Sequence, residues 1–142
     1  MRILVPEGGC EWDKYLHLPR SALFSEVEAE DFFDLAVILP EEKRGAQSFR
    51  CGTLLLWEGT GEEWLRAVTA EQVISCGFAS QNTLTPASTE PGRSVMTVQR
   101  ELKRPDGNYI WPQDVPLPEA WAALPMPQQM MLAGLWLLGA GE

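Results

Sequence analysis

Three apolar runs stand out in the first half of the chain, each closed by a turn that contains proline or glycine. They span residues 35–39 (LAVIL), 53–57 (TLLLW) and 72–76 (QVISC). Apolar runs of this length, bounded by turn residues, are typical of strands that are covered on both faces. We therefore predict three buried strands that lie in a parallel arrangement.

The segment between the second and third runs has the spacing of a helix. Trp64 and Leu65 are followed four and three residues later by Val68, which places the three side chains on one side of a helix. A strand, a helix and a second strand make a βαβ unit, whose two strands run parallel. The sequence thus predicts one βαβ unit over residues 53–76.

A second helix is predicted before the first run. Ser25 followed by Glu28 matches a capping box, in which two side chains bond the free amides at the start of a helix. Apolar residues then follow at positions i, i+3, i+4 and i+7, the spacing of one helix face. These residues are Ala29, Phe32, Phe33 and Ala36. We predict a helix over residues 26–34.

The pattern changes after residue 77. Residues 94–102 alternate between apolar and polar positions, which is typical of a half-exposed strand in an antiparallel pair. Residues 104–108 (RPDGN) favour a turn, because proline presets its own φ while glycine and asparagine accept positive φ. Residues 109–111 predict the returning strand, and Pro112 limits it to an edge, since proline cannot donate to the ladder.

The C-terminal region is rich in proline and then strongly apolar. Repeated prolines between residues 112 and 127 predict a stiff, extended connector. Residues 126–138 predict a short helix that Gly139 stops. This helix is apolar nearly all round, so either the core covers it or a second copy of the chain does, through self-association.

These elements predict a single α/β domain over residues 1–142. Its mixed sheet has a parallel βαβ part extended by an antiparallel hairpin, with helices packed on it. A length of 142 residues suits one domain with one set of packed layers. The content of 45% hydrophobic and 22% charged residues is that of an ordinary folded protein.

The net charge of −9 narrows the range of partners. Nucleic acids and anionic membranes attract basic proteins, so we expect neither as a partner. The chain has 3 cysteines without a C-x-x-C pair, which argues against a disulfide framework. We expect a cytoplasmic protein, because the N-terminus lacks a signal-peptide pattern and the longest apolar stretch, residues 130–138, is too short to span a membrane.

Five segments between residues 35 and 138 occur in a recognisable order: TLLLWEG, EEWLRAV, VISCGF, the hairpin over 94–111, and LAGLWLL. This order resembles the later part of the central domain of the Mur ligases, ATP-dependent enzymes that add amino acids to peptidoglycan precursors. The chain departs from that family in its chemistry. It has no G-x-x-x-x-G-K-[ST] loop for ATP phosphates, and Trp57-Glu58-Gly59 stands where the family has paired aspartates. The resemblance therefore implies an α/β scaffold, and no ATP-binding or ligase residue carries over.

The loop after the third run is the first candidate for chemistry. Cys76 is either a nucleophile with His17 as its base or a small buried residue that ends a strand. Residues 77–83 (GFASQNT) either cradle an anion through their amides or form an ordinary turn. We favour the buried residue and the turn, because unpaired cysteines are usually buried and no lysine or arginine lies near the loop. One histidine and isolated cysteines predict no metal site.

The 6 tryptophans provide the second candidate. Trp57, Trp64 and Trp136 lie in apolar patterns and are predicted to be core residues. Trp111 and Trp121 lie beside prolines, where a half-exposed aromatic side chain is more often found against a partner. Trp136 also belongs to the C-terminal helix that is predicted to self-associate, so we group it with Trp111 and Trp121 as partner-binding residues.

Two functions follow from these patterns. The leading hypothesis is a non-enzymatic interaction or scaffold domain, with no catalytic residue, no cofactor and no metal, that binds a protein partner or a second copy of itself. The alternative is a small-ligand binder or enzyme whose site lies at the carboxyl ends of the parallel strands, where α/β sheets bind ligands. The predicted residues of that site are Glu58, Cys76, Gly77 and Asn82.

Overall fold

The computed structural model describes residues 1–6, 11–18, 21–39, 45–60, 62–88 and 94–141. In these ranges the strands are β1 (Ile3–Val5), β2 (Ser21–Leu23), β3 (Phe32–Ile38), β4 (Phe49–Trp57), β5 (Val68–Cys76), β6 (Leu84–Ser88), β7 (Val95–Val98), β8 (Leu102–Lys103), β9 (Tyr109–Ile110) and β10 (Gln113–Pro116). The α-helices are α1 (Glu62–Ala67) and α2 (Met126–Leu137).

The main sheet has its strands in the order β10-β7-β6-β5-β4-β3-β1-β2. The six strands β1 to β6 run parallel to one another, whereas β7 is antiparallel to both β6 and β10. β8 and β9 form a small antiparallel hairpin beside the sheet. The predicted α/β class is confirmed, with a mixed sheet whose parallel part is extended by antiparallel strands.

The predicted βαβ unit is present as β4, α1 and β5. The two strands pair along their whole length, from Phe49 with Val68 to Trp57 with Cys76. Both begin about four residues earlier than the apolar runs, because their first halves are less uniformly apolar. β6 then starts beside the end of β5, to which it is joined at a single pair, Cys76 with Leu84.

Both faces of the sheet are covered. One core contains Leu55 and Trp57 together with α2, and the other contains Leu54, Leu56 and the α1 residue Trp64. Because successive side chains of a strand point to opposite faces, Leu54 and Leu55 enter different cores. Cover on both faces explains the continuous apolar pattern of residues 54–57. The prediction that the third run is covered on both faces is wrong, because Val73 of β5 is 47% exposed while Ile74 is buried.

α2 packs against the first core. Of the two predicted alternatives for this helix, cover by the core and cover by a second copy of the chain, the structure shows the first. Residues 129–135 are all buried by the rest of the chain. The helix approaches the sheet closely because residue 134 is glycine: a Cβ there would lie 2.6 Å from Leu55 Cδ2. Gly139 follows the helix with a φ of +100°, which suits a helix C-terminus. Neither α1 nor α2 has the length and apolar character that a membrane-spanning helix needs.

The predicted helix over residues 26–34 is wrong. Residues 24–26 form a single 3-10 turn, and β3 begins at Phe32. Phe32 is 42% exposed while Phe33 is fully buried, so the two side chains lie on opposite sides, as successive residues of a strand do. A helix would have placed both phenylalanines on one face.

The region after residue 94 differs from the predicted hairpin. β7 ends at Val98, and the predicted turn instead joins β8 to β9, with Gly107 at a φ of +90°. β7 pairs with β6 and β10, two strands that contain proline and were not predicted. Proline is tolerated in β10 because this strand is at the edge of the sheet, and in β6 because the pairing is irregular at Pro86.

Candidate functional site

The structure brings together three of the four residues predicted at the carboxyl ends of the parallel strands. Glu58 follows β4, and its Oε1 atom accepts hydrogen bonds from the backbone amides of Phe78 and, at 3.1 Å, Ala79. The side-chain amide of Asn82 is 3.5 Å from the same oxygen and donates to the Ala79 carbonyl at 3.0 Å. Gly77 is required beside them, because a Cβ at this position would overlap the Glu58 carboxylate.

The loop over residues 77–83 therefore binds an anion, and that anion is the chain's own carboxylate. The amides that point into the loop are directed at Glu58, so they are not available to an external phosphate or carboxylate. Other groups of the loop are paired as well: the Thr83 amide donates to the Ser75 carbonyl at 2.9 Å, and Gln99 Nε2 donates to the Ser80 and Asn82 carbonyls at 3.0 and 2.8 Å. Arg100 Nη1 lies 3.5 Å from Thr83 Oγ1, so the structure brings to this loop an arginine that lies 17 positions away in the sequence. We call this arrangement the Glu58 clamp, and its geometry is that of a structural element.

Cys76 lies beneath the clamp and is confirmed as a core residue. Its side chain is fully buried in the core that α2 covers. Burial raises the pKa of the Cys76 thiol far above its ordinary value, which keeps the sulfur protonated at neutral pH. His17, the predicted base, is exposed. A thiol with no exposed surface cannot reach a substrate, so the nucleophile interpretation is wrong.

The three tryptophans predicted to bind a partner have different surroundings. Trp111 is 65% exposed, as expected for a residue beside proline, but Trp121 is buried, with 6% exposure. Trp136 is 51% exposed, so its prediction as a core residue is wrong, whereas Trp57 and Trp64 are confirmed as core. The exposed aromatic side chains of Tyr109, Trp111 and Trp136 lie on one part of the surface, since all three line the same groove.

Trp136 separates two surface grooves. The first has a volume of about 230 Å³, and its other lining residues are Val115, Pro116, Leu117, Pro118, Trp121 and Ala133. The second has a volume of about 270 Å³, and its other lining residues are Arg104, Tyr109, Ile110, Trp111, Gln113 and Leu137. We call the two grooves and the Trp136 ridge between them the tryptophan surface. All three predicted tryptophans line it.

The edge strand β10 runs past this surface. Leu117, the next residue, donates its amide to the Ser94 carbonyl at 2.8 Å, so alternate residues of β10 direct their amides toward β7. Within β10 the residues that face away from β7 are therefore Asp114 and Pro116, and Pro116 has no N–H to offer. The edge is protected against the addition of another strand.

A larger cavity, of about 370 Å³, lies elsewhere, at the amino-terminal halves of β3, β4 and β5. We call it the polar cleft. The sheet supplies Asp34, Gly52, Thr53, Glu71 and Gln72, and the β8–β9 hairpin and its turn supply Lys103, Arg104 and Pro105, with Phe32 at the rim. Sequence reasoning missed this site, although Thr53 and Gln72 are polar residues inside the predicted buried strands and were the available signal.

No cluster of three or more potential metal ligands occurs within the described ranges. Comparison with known protein families, with characterised proteins and with solved structures finds no match to this chain. The resemblance to the Mur ligase central domain accordingly stays a prediction, and the geometry of the grooves, the clamp and the cleft is what indicates function.

Proposed function

We propose that this chain is a non-enzymatic interaction domain whose tryptophan surface binds a proline-containing, extended segment of a partner protein. The observation that carries the proposal is the pair of grooves on either side of Trp136, between the exposed Trp111 and the buried Trp121. Clustered exposed aromatic side chains mark interaction sites, because they bury a large apolar area at little cost in conformational entropy.

The chemistry of the surface favours a polyproline II segment over a β-strand. An added strand would need outward amides on β10, and Pro116 together with Pro112, which precedes the strand, leaves only the amide of Asp114. A polyproline II segment needs no ladder: it leaves its own carbonyls free and fits grooves lined by aromatic side chains. The indole of Trp12 donates to Gln128 at 3.1 Å, whereas the indoles of Trp111 and Trp136 have no acceptor among the described residues. These two donors suit the free carbonyls of such a segment.

The charge of the chain favours a basic partner. The net charge is −9, and Asp114 and Glu119 are exposed on the strand and turn that border the first groove. Lysine or arginine on either side of the prolines would be attracted to this region and would speed association. A second copy of the chain carries the same negative charge, so we rank self-association after a separate partner. The charge also argues against nucleic acid and anionic membranes as partners.

The proposed location is the cytoplasm. Cys51 and Cys76 are free thiols buried in different cores. Free, unpaired cysteines suit a reducing compartment.

Selection from a random peptide library tests the proposal without a known partner. Peptides selected on the wild-type chain should contain proline and should lose binding to the variants Trp111→Ala and Trp136→Ala. The matched control is Leu65→Ala, since Leu65 is 48% exposed but lies on α1, away from the grooves. Peptides that bind all three variants equally, or no selected peptides at all, would refute the proposal.

Sedimentation of the wild-type chain distinguishes binding of a separate partner from self-association. A dimer that Trp136→Ala converts to a monomer would assign the surface to self-association instead of a separate partner. A monomer that binds the selected peptides one to one is the expected result.

A further inference from the structure

We propose that the polar cleft is a second binding site, one for a small zwitterion, namely an α-amino acid with an apolar side chain. This inference is independent of the function proposed for the tryptophan surface. It rests on the charges that face each other across the cleft, on the way the cleft is held open, and on its apolar rim.

The cleft has acidic groups on the sheet and basic groups on the hairpin. Glu71 of β5 and Lys103 of β8 are both exposed, and neither has an ion-pair partner in the described part of the chain. Asp34 uses one carboxylate oxygen to accept the Arg2 amide at 2.7 Å. The cleft therefore offers a carboxylate on one wall and an ammonium group on the other.

This arrangement selects for a ligand that carries both charges. A simple anion would be attracted to Lys103 but repelled by Glu71 and Asp34. A simple cation would be attracted to Glu71 and Asp34 but repelled by Lys103. A zwitterion can direct its ammonium group at the sheet carboxylates and its carboxylate at the hairpin, so both interactions are favourable at once.

The cleft is held in shape by the side chain of Gln72. Its Nε2 donates to the Lys103 carbonyl at 2.9 Å and to Thr53 Oγ1 at 3.0 Å, and its Oε1 accepts the Lys103 amide at 3.0 Å. These bonds fix the hairpin to the sheet before any ligand arrives. Preorganisation of this kind lowers the entropy lost on binding.

The floor and the rim fit a compact ligand with an apolar side chain. Gly52 leaves the floor bare, and a Cβ there would lie only 3.0 Å from the Asp34 carbonyl oxygen. Phe32, which is 42% exposed, and Pro105 provide apolar surface at the rim. A volume of about 370 Å³ lies at the lower end of the range for ligand pockets, which suits a single amino acid.

Amide NMR of the isotope-labelled chain, titrated with L-leucine, tests the inference. We expect saturable shifts at Thr53, Gln72 and Lys103, with a dissociation constant of about 1 mM. N-acetyl-L-leucine lacks the cation and L-leucinamide lacks the carboxylate, so each should bind about tenfold more weakly. The variants Glu71→Gln and Lys103→Met should weaken L-leucine binding similarly, and the control Glu63→Gln, on α1, should not.

Several results would overturn the inference. The first is the absence of a saturable shift at these residues with L-leucine up to about 20 mM. The second is binding of N-acetyl-L-leucine or L-leucinamide as tight as that of L-leucine. The third is a loss of binding in Glu63→Gln as large as that in Glu71→Gln. Both cleft variants change exposed side chains, so their unchanged amide spectra away from the cleft will verify that they fold.

Discussion

The Glu58 clamp and the tryptophan surface differ in what their functional groups contact. At the clamp, a carboxylate, two backbone amides and a side-chain amide satisfy one another. At the tryptophan surface, the side chains of Trp111 and Trp136 are more than half exposed beside two grooves. Polar residues gathered at the expected edge of an α/β sheet can thus serve the fold, while the groups that are left unsatisfied lie elsewhere.

Of the substitutions in the two compared regions, the one that breaks the clamp is expected to have the largest effect. Glu58→Ala removes the acceptor of the Phe78 and Ala79 amides, and bonds to a charged acceptor are among the stronger ones. We expect the free energy of unfolding to fall by about 3 kcal/mol, measured by urea denaturation. Glu63→Ala on α1 is the control and should change little. A loss below about 0.5 kcal/mol would mean that the clamp is not structural.

A smaller effect is expected from Gly77→Ala, which tests the same contact from the other side. The new methyl group would occupy the position of the Glu58 carboxylate and displace it from the loop amides. We expect a loss of about 1 to 2 kcal/mol in urea denaturation. Gly45→Ala is the matched control, since a Cβ at residue 45 meets nothing within 4 Å. Equal effects of the two substitutions would contradict the close packing at Gly77.

The stability of the protein at alkaline pH tests whether Cys51 in β4 and Cys76 in β5 are closed to solvent. Burial, and then the nearby charge of Glu71, raise the pKa of Cys51 from 9.0 to about 12, and burial raises that of Cys76 as well. The unfolded thiols lose protons from about pH 9, so the stability that is present below this pH declines as the pH rises toward 12.

The expected loss is about 1 kcal/mol per thiol at pH 10, measured as the difference in unfolding free energy between pH 8 and pH 10. The double variant Cys51→Ala/Cys76→Ala corrects for other groups that titrate in this range. If the wild type and the double variant have the same pH dependence, or if Cys76 reacts with a thiol reagent in the native state, then the edge near the clamp is open to solvent.

The smallest effect on stability is expected at the tryptophan surface. Trp111→Ala and Trp136→Ala should each lower the free energy of unfolding by less than about 1 kcal/mol, because most of each side chain is already in water. Trp64→Ala, which empties a buried position on α1, should cost about 3 to 5 kcal/mol by the same thermal or urea measurement. A large loss at Trp136 would indicate a core role and not a binding role.

The sequence predicts those parts of the fold in which local pattern and final surroundings agree. The run over residues 53–57 is buried on both faces, so its unbroken apolar pattern identifies β4 and the unit that follows. The sequence wrongly predicts a helix over residues 26–34, because two adjacent apolar residues such as Phe32 and Phe33 fit both a helix face and a strand, and only the packing of β3 against β4 decides between them.

The same reasoning explains what could be predicted of the sites. The meeting of Glu58, Gly77 and Asn82 follows from the rule that parallel strands end at one edge, but the sequence does not reveal that these groups bond one another. The exposure of Trp111 follows from its neighbouring proline. The burial of Trp121 and the exposure of Trp136 depend on how α2 lies on the sheet, which is a long-range contact that local pattern does not encode.

The central claim is that the tryptophan surface binds a proline-containing segment, and NMR of the indole N–H groups tests it most directly. Titration with a lysine-flanked oligoproline peptide should shift the indole signals of Trp111 and Trp136 in a saturable way, with a dissociation constant between about 1 μM and 1 mM, and should leave the buried indole of Trp64 unchanged. Unmoved signals of Trp111 and Trp136 at millimolar peptide, or equal shifts with a lysine-flanked glycine-serine peptide, would contradict it.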